Sequence, residues 1–311
     1  VIDKLTFLLA LSREKHFGRA AEACGVTQPT LSAGIKQLET TLGVLLVYRS
    51  AKFGGFTPEG ERVLEWARRI VGDARAMRDE VKSLRQGLSG HLRLAVVPTA
   101  LPVMARLTTP LAERHPEVTF SIRSCNSLEV LSLMENLEAD AGVTYVGNEP
   151  LGRVRTLPLF EEHYRLLVAA DAKLGDKAQV SWQEVASLPL SLLTPDMQNR
   201  RIIDRRLQKV GADPLPVLET NSIIVLISHV QTGRWASVLP AIMAESLMIE
   251  GSGKSQPIRS IPIRETDPSP VIGLVYPHRE PLMPLTAALV TEARRFCEAV
   301  RPAALSATTS A

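Results

Sequence analysis

The chain has 311 residues, enough for about two domains at ~100–200 residues each, and 45% hydrophobic with 22% charged residues excludes a disordered chain. No run of about 18 apolar residues occurs, which excludes a transmembrane helix, and Asp3, Lys4 and Arg13 around a short apolar stretch do not read as a signal peptide. The formal charge of +3 is unevenly placed: residues 1–90 hold 14 Lys+Arg against 10 Asp+Glu (+4), leaving 22 against 23 (−1) for residues 91–311, so the positive excess that could favour a polyanion lies in the first third.

Leu5, Leu8, Leu9 and Ser12 recur at helical spacing and predict an amphipathic helix over 3–13. Gly18 opens a compact second helix around Ala20, Ala21 and Cys24, small enough for another helix to cross closely. Gly25 ends it, because glycine takes the left-handed conformation without a Cβ penalty. Thr27 then reads as an N-cap, with Pro29 in the first turn of a third helix. That helix directs Leu31, Ile35, Leu38 and Leu42 inward and Gln28, Thr30, Ser32, Ala33, Lys36 and Gln37 outward. Helix, short glycine turn, helix is the arrangement that lays a second helix in the DNA major groove with its N-terminal residues on base edges. Gln28 and Lys36 suit bases or phosphates, Ser32 either, and the Thr30 methyl a thymine. A packed αα-hairpin with a solvated polar face fits the same spacing.

The stretch FGRAAEACGVTQPTLSAGIKQLETTLGVLLVYRS, followed by FTPEGERVL, closely resembles the N-terminal domain of LysR-type transcriptional regulators. The family pattern is matched at Ala20, Ala21, Thr27, Gln28, Pro29, Thr30, Leu31, Ser32, Ile35, Leu38, Glu39, Leu42, Gly43, Arg49, Thr57 and Gly60. The chain departs from it at Cys24, Leu46–Val47, Pro58–Glu59 and the wing segment 51–56, where Lys52 stands in for a frequent second arginine. The resemblance implies a winged helix-turn-helix over 1–57 that contacts double-stranded DNA through Thr27, Gln28, Pro29, Thr30, Ser32, Lys36, Arg49 and Lys52.

Over residues 58–90, apolar residues recur at Val63, Ala67, Ile70, Ala74, Met77, Val81, Leu84 and Leu88 in alternating steps of four and three. This heptad seam is too narrow for one helix to bury by itself and calls for a partner, most simply the same helix of a second chain. The family resemblance implies an antiparallel linker-helix dimer here, an inverted-repeat site on the DNA, and a homotetramer built from two dimers. Gly87, Ser89 and Gly90 end the helix as a hinge.

Strand and helix patterns then alternate through 91–302: strands at 91–97, 118–123, 141–145, 163–169, 188–193, 217–219, 235–239, 258–263 and 271–276, with helices at 101–114, 128–137, 198–210, 223–232 and 285–300. Such alternation predicts βαβ units and a mostly parallel sheet. The order resembles the two-lobed effector domain of LysR regulators, with lobe I over 91–161 and 268–302 and lobe II over 162–267. The small polar tail 303–311 reads as disordered. The expected class is thus α+β multi-domain: winged helix-turn-helix, linker helix and a periplasmic-binding-protein-like α/β effector domain.

Ligands of open α/β sheets bind beyond the strand ends, near helix N-termini that attract anions. In the resembled fold four such corners face one cleft, which points to Thr99, Ala100, Ser127, Thr144, Thr194, Gln198 and Asn199 as effector contacts. Plain helix capping is the competing reading for each Ser and Thr. A small carboxylate or other anion would suit hydroxyls, amides and helix N-termini. Trp235 either crowds the cleft wall or fills core.

No enzyme signature survives. Gly251–Ser255 resembles the end of a phosphate loop, but Met248 stands where its first glycine belongs. The six histidines show no metal spacing, no G-x-S-x-G elbow is present, and Asp140 has no evident partner. The three cysteines, Cys24, Cys125 and Cys297, support neither a disulfide framework nor a zinc site, so no metal or cofactor is expected and a reducing cytoplasm is the simplest home. The reading is a DNA-binding regulator that responds to a small molecule, with RNA polymerase as a further partner and no membrane. The alternative is a soluble small-molecule receptor whose N-terminal helices serve protein contacts.

Overall fold

The computed structural model describes residues 1–48, 53–147, 151–172, 174–213, 215–247, 258–264 and 267–300. They form two compact units: Val1–Ser89 with Ser132–Glu138 and Arg279–Leu285, and Gly90–Leu131 with Ala139–His278 and the described residues from Thr286 onward.

The first unit is built on α1 (Ile2–Glu14), α2 (Phe17–Ala23), α3 (Gln28–Leu42) and α4 (Pro58–Gln86). The buried stripe of α1 is Leu5, Leu8 and Leu11, with Leu9 and Ser12 only half-buried. Packed against it are Ala20 and Ala21 of α2 and Leu31, Ile35 and Leu38 of α3. The helix α2 starts at Phe17 rather than Gly18, because the His16 ring nitrogen Nδ1 accepts from the Gly18 and Arg19 amides at 3.1 and 3.3 Å. Leu42 does not join the core but is 46% exposed. Gly43, at φ 71°, stops α3 there, and the inward place goes to Glu39, whose carboxylate accepts from the Leu46 and Val47 amides at 2.9 and 3.3 Å.

A single antiparallel bridge, Val47 to Phe56, forms the described base of the wing. Thr57 caps α4: its hydroxyl accepts from the Gly60 amide at 3.0 Å and donates to the Leu45 carbonyl at 2.6 Å. Gly60 is required by close approach, since a Cβ there would lie 2.1 Å from the Leu46 carbonyl oxygen.

The second unit opens with β1 (Gly90–Val96), a 3₁₀ turn (Pro98–Ala100), α5 (Leu101–Arg114), β2 (Val118–Ser124), the start of α6 (Ser127–Glu135, which passes into the first unit at Ser132), β3 (Ala141–Val146) and β4 (Val154–Glu161). It continues through β5 (Tyr164–Ala169), α7 (Trp182–Ala186), β6 (Ser191–Leu193), α8 (Gln198–Lys209), β7 (Leu218–Thr220) and α9 (Ile223–Val230). It closes with β8 (Ser237–Pro240), α10 (Ala241–Leu247), β9 (Ile258–Pro262), β10 (Val271–Pro277) and α11 (Pro284–Val300).

One sheet runs β2-β1-β3-β10-β4, a second β8-β5-β9, and β6 pairs β7. Among the named strands, parallel pairing joins β1 with β2 and β3 and β6 with β7, whereas β10 runs antiparallel to both β3 and β4, and β5 antiparallel to β8 and β9. The sheets are therefore mixed, not mostly parallel. The strand β4 carries Pro158 and lies at an edge, where a missing N–H is tolerated, so its sequence gives no strand signal. Asp140 has a partner after all: its carboxylate accepts from the Arg93 amide at 2.9 Å and from the Arg93 guanidinium at 2.7 and 3.2 Å. Trp235 packs edge-on to His229 at 5.5 Å between centroids and does not line the cleft described below.

Candidate nucleic-acid interface and ligand cleft

In the first unit, Thr27 takes extended backbone and its hydroxyl accepts from the Thr30 amide at 3.4 Å, with Pro29 inside the first turn of α3. Since Thr27 Oγ1 also lies 2.8 Å from Thr30 Oγ1, these hydroxyls shape the helix start. Gln28, Pro29, Thr30, Ala33, Lys36 and Gln37 are exposed and Ser32 is half-buried, so amide, hydroxyl, methyl and ammonium groups share one face at the N-terminal half of a capped helix. The Gly25 turn at φ 65° sets α3 against α2 and leaves that face uncovered by its own domain. Arg49 and Lys52 lie outside the described residues, as do 251–255 and 303–311.

The helix α4 divides the expected seam in two. Ala67 is fully buried in the core of the first unit, and Val63 packs against that core, so neither is free to meet a second chain. The cause is that the first turns of α4 fold onto α1. Ala74 is half-buried, and Ile70, Met77, Val81 and Leu84 are exposed, Met77 by 60% and Leu84 by 82%. Apolar side chains this open on one helical stripe are a surface to be covered.

In the second unit, the ends of β1, β3 and β6 and the starts of α6 and α8 converge on a narrow cleft whose free room is about 10 Å³, about that of one water, so a ligand enters only as its walls part. Thr99, Ser127, Gln198 and Asn199 line it, together with Val97, Pro98, Asn126, Tyr145, Leu193 and Met197. Three of the residues expected there do not. Ala100 is buried one position beyond the lining residues, Thr144 lies on the opposite face of β3 from Tyr145 because strand side chains alternate, and Thr194 stands one position beyond the lining Leu193 with its buried hydroxyl unpartnered.

The cleft's polarity follows from its partners. The Gln198 carbonyl oxygen accepts from Arg201 Nε at 2.7 Å, which leaves its Nε2 donor without a partner, as are the Ser127 hydroxyl and both amide atoms of Asn199. All three residues are more than nine-tenths buried. Among the described residues, no lysine or arginine lines the cleft.

Behind it stands a buried cluster that the sequence does not reveal. Tyr145 and Tyr164 both donate to Glu162 Oε2, at 2.8 and 2.9 Å, and Thr99 Oγ1 lies 3.2 Å from the Tyr145 hydroxyl. Glu162 is 1% exposed. Burial pushes its carboxyl up to about 7 against the lowering effect of the two phenols and Thr99, and burial with the adjacent carboxylate pushes both tyrosines well above their ordinary value.

Among the described residues, no group of three or more His, Cys, Asp or Glu is placed to hold a metal, and no helix is long and apolar enough to cross a membrane. Two family models match the chain: the bacterial regulatory helix-turn-helix protein of the lysR family over residues 2–61, and the LysR substrate binding domain over 85–298. The hydrogen peroxide-inducible genes activator of Pectobacterium carotovorum subsp. carotovorum is 26% identical over 282 residues, 90% of this chain and 91% of its own. A solved full-length OxyR variant from Pseudomonas aeruginosa has a TM-score of 0.73 at 27% identity over 94% of both chains. Full-length CbnR, solved in complex with its target DNA, has a TM-score of 0.60 at 20% identity over 95% of this chain and 99% of its own, a likeness of fold alone.

Proposed function

The chain belongs to the LysR family of bacterial transcriptional regulators, and on that premise we propose how its own residues bind DNA, pair with a second copy and receive an effector. It is a DNA-binding transcriptional regulator with an effector-binding domain. The exposed face of α3 carries the DNA reading: Gln28 and Thr30 meet base edges while Lys36 holds a phosphate. Thr27, Pro29 and Ser32 set the helix start against the backbone, and Arg49 and Lys52 complete the grip from the wing.

Ile70, Met77, Val81 and Leu84 cover one another across a two-fold axis, which presents two α3 helices to an inverted repeat. Pairs of such dimers form a tetramer. The chain works by binding alone, in the cytoplasm, with no catalytic step.

The cleft lined by Thr99, Ser127, Gln198 and Asn199 takes the effector, a small molecule with a carboxylate or similar acceptor group. The unpartnered donors of Ser127, Gln198 and Asn199 support this reading. A peroxide-reactive thiol does not fit it. None of the three cysteines lines the cleft, and burial pushes Cys125 up to about 11 and raises Cys24, which keeps both as weakly nucleophilic thiols. Effector binding acts by its differential affinity for two arrangements of the regulator.

Gln28→Ala with Lys36→Ala tests the assignment. Sequence-specific DNA binding should vanish while dimerisation stays intact. Retained specific binding would remove α3 as the reading element and favour a receptor whose N-terminal helices contact protein.

A further inference from the structure

We propose that Glu162 determines what the cleft accepts: with Glu162 ionised the Thr99 hydroxyl can only accept from a ligand, and with Glu162 protonated it can donate, so a small carboxylate binds with uptake of one proton. This rests on the cleft being the effector site.

The argument is a count of hydrogens. A carboxylate only accepts. Tyr145 and Tyr164 each own one hydroxyl hydrogen, and both spend it on Glu162 Oε2 at 2.8 and 2.9 Å. The Tyr145 oxygen can then only accept, so the 3.2 Å contact with Thr99 takes the single Thr99 hydrogen. Thr99 lines the cleft and is left with lone pairs alone. A ligand carboxylate there would meet lone pairs, with a buried negative charge one residue behind.

Protonation reverses the chain. The Glu162 hydroxyl donates to the Tyr145 oxygen, the Tyr145 hydrogen turns to Thr99, and the Thr99 hydrogen is released into the cleft. It there joins the Gln198, Asn199 and Ser127 donors.

Among the described residues, few other charges face Glu162. The Arg206 guanidinium of α8 lies over the rings of Tyr164 and Trp182 at 5.3 and 5.6 Å, itself influenced by Asp267, and lowers the Glu162 carboxyl only as a minor effect. Glu161 and His163 flank it in the chain, with His163 Nδ1 3.0 Å from the Ser269 hydroxyl. Arg106 of α5 and Glu245 of α10 line the opening on its other side. The Glu162 amide donates to the Pro270 carbonyl at 2.8 Å. With a carboxyl at about 7, both protonation states are populated near neutral pH.

Acetate, titrated calorimetrically into the full-length protein between pH 6 and 8.5 in two buffers of different ionisation enthalpy, tests the proposal. Well above pH 7 the affinity should fall about tenfold per pH unit, roughly fifteenfold from pH 7 to 8.5, with proton uptake rising from about half a proton per acetate at pH 7 toward one at pH 8.5. Glu162→Gln should keep the low-pH affinity across the range, and Thr99→Val should lose most of it at pH 6. A flat wild-type profile, or no acetate binding at pH 6, overturns the proposal. PH-independent binding that is lost in Ser127→Ala and Gln198→Ala leaves the cleft reading standing and removes only this inference. Binding that is indifferent to those two changes removes the cleft reading itself.

Discussion

Replacing Glu162 by glutamine should stabilise the second unit above neutral pH and leave it unchanged in acid. The carboxyl rises from 4.5 to about 7 because it is buried among Tyr145, Tyr164 and Thr99. Below about pH 4.5 it is protonated in both folded and unfolded chains and carries no penalty. Between 4.5 and 7 the unfolded chain has released a proton that the folded chain keeps, so stability falls as pH rises; above 7 the full cost of an ionised buried group is present. At ~1.36 kcal/mol per pKa unit that cost is roughly 3 kcal/mol. Glutamine is neutral at every pH and does not titrate, and its amide can donate to the Tyr145 oxygen as the protonated carboxyl does. Urea unfolding of both proteins, followed by tryptophan fluorescence (Trp182 packs edge-on to Tyr164 at 6.2 Å), should give curves that coincide near pH 4.5. By pH 8 the variant should lead by roughly 3 kcal/mol. A stability difference that is constant with pH would refute the reasoning.

Two further substitutions address the first unit. Gly60→Ala places a Cβ against the Leu46 carbonyl and should cost the DNA-binding unit about 2–3 kcal/mol, read by its thermal melt. Met77→Glu with Leu84→Glu puts charge on the open stripe of α4. At ~1.5–3 kcal/mol per buried apolar side chain, counted on both chains, this should weaken the dimer by at least about a hundredfold in sedimentation equilibrium. An unchanged dimer would place the two-fold axis elsewhere.

What could be read along the chain was what local rules govern. Thr27, Pro29 and the spacing of Leu31, Ile35 and Leu38 define α3 without reference to anything distant, and the structure has that cap and that buried face. Leu42 fits the same spacing yet is exposed, because the helix stops and the Leu46 and Val47 amides need an acceptor, which Glu39 supplies. No local signal announces such a need.

Periodicity likewise marked one stripe on α4 but could not say which half its own domain covers. The cleft was legible as far as strand ends and helix starts, which brought Thr99, Ser127, Gln198 and Asn199 together. Glu162 was not, since in the run Phe160-Glu161-Glu162-His163 it looks like one more surface acid. Only the fold brings positions 99, 145, 162 and 164 to one point, as it does Arg93 and Asp140, 47 residues apart.

The most direct test is equilibrium binding of the full-length protein to the intergenic DNA beside its own gene, by fluorescence anisotropy with nonspecific competitor, titrated against salt. The account predicts competitor-resistant binding whose log K falls linearly and steeply with log salt, and a slope smaller by about one per recognition helix in Lys36→Ala. Folded, dimeric protein that shows no specific binding at low salt, or a slope that Lys36→Ala leaves unchanged, would contradict it.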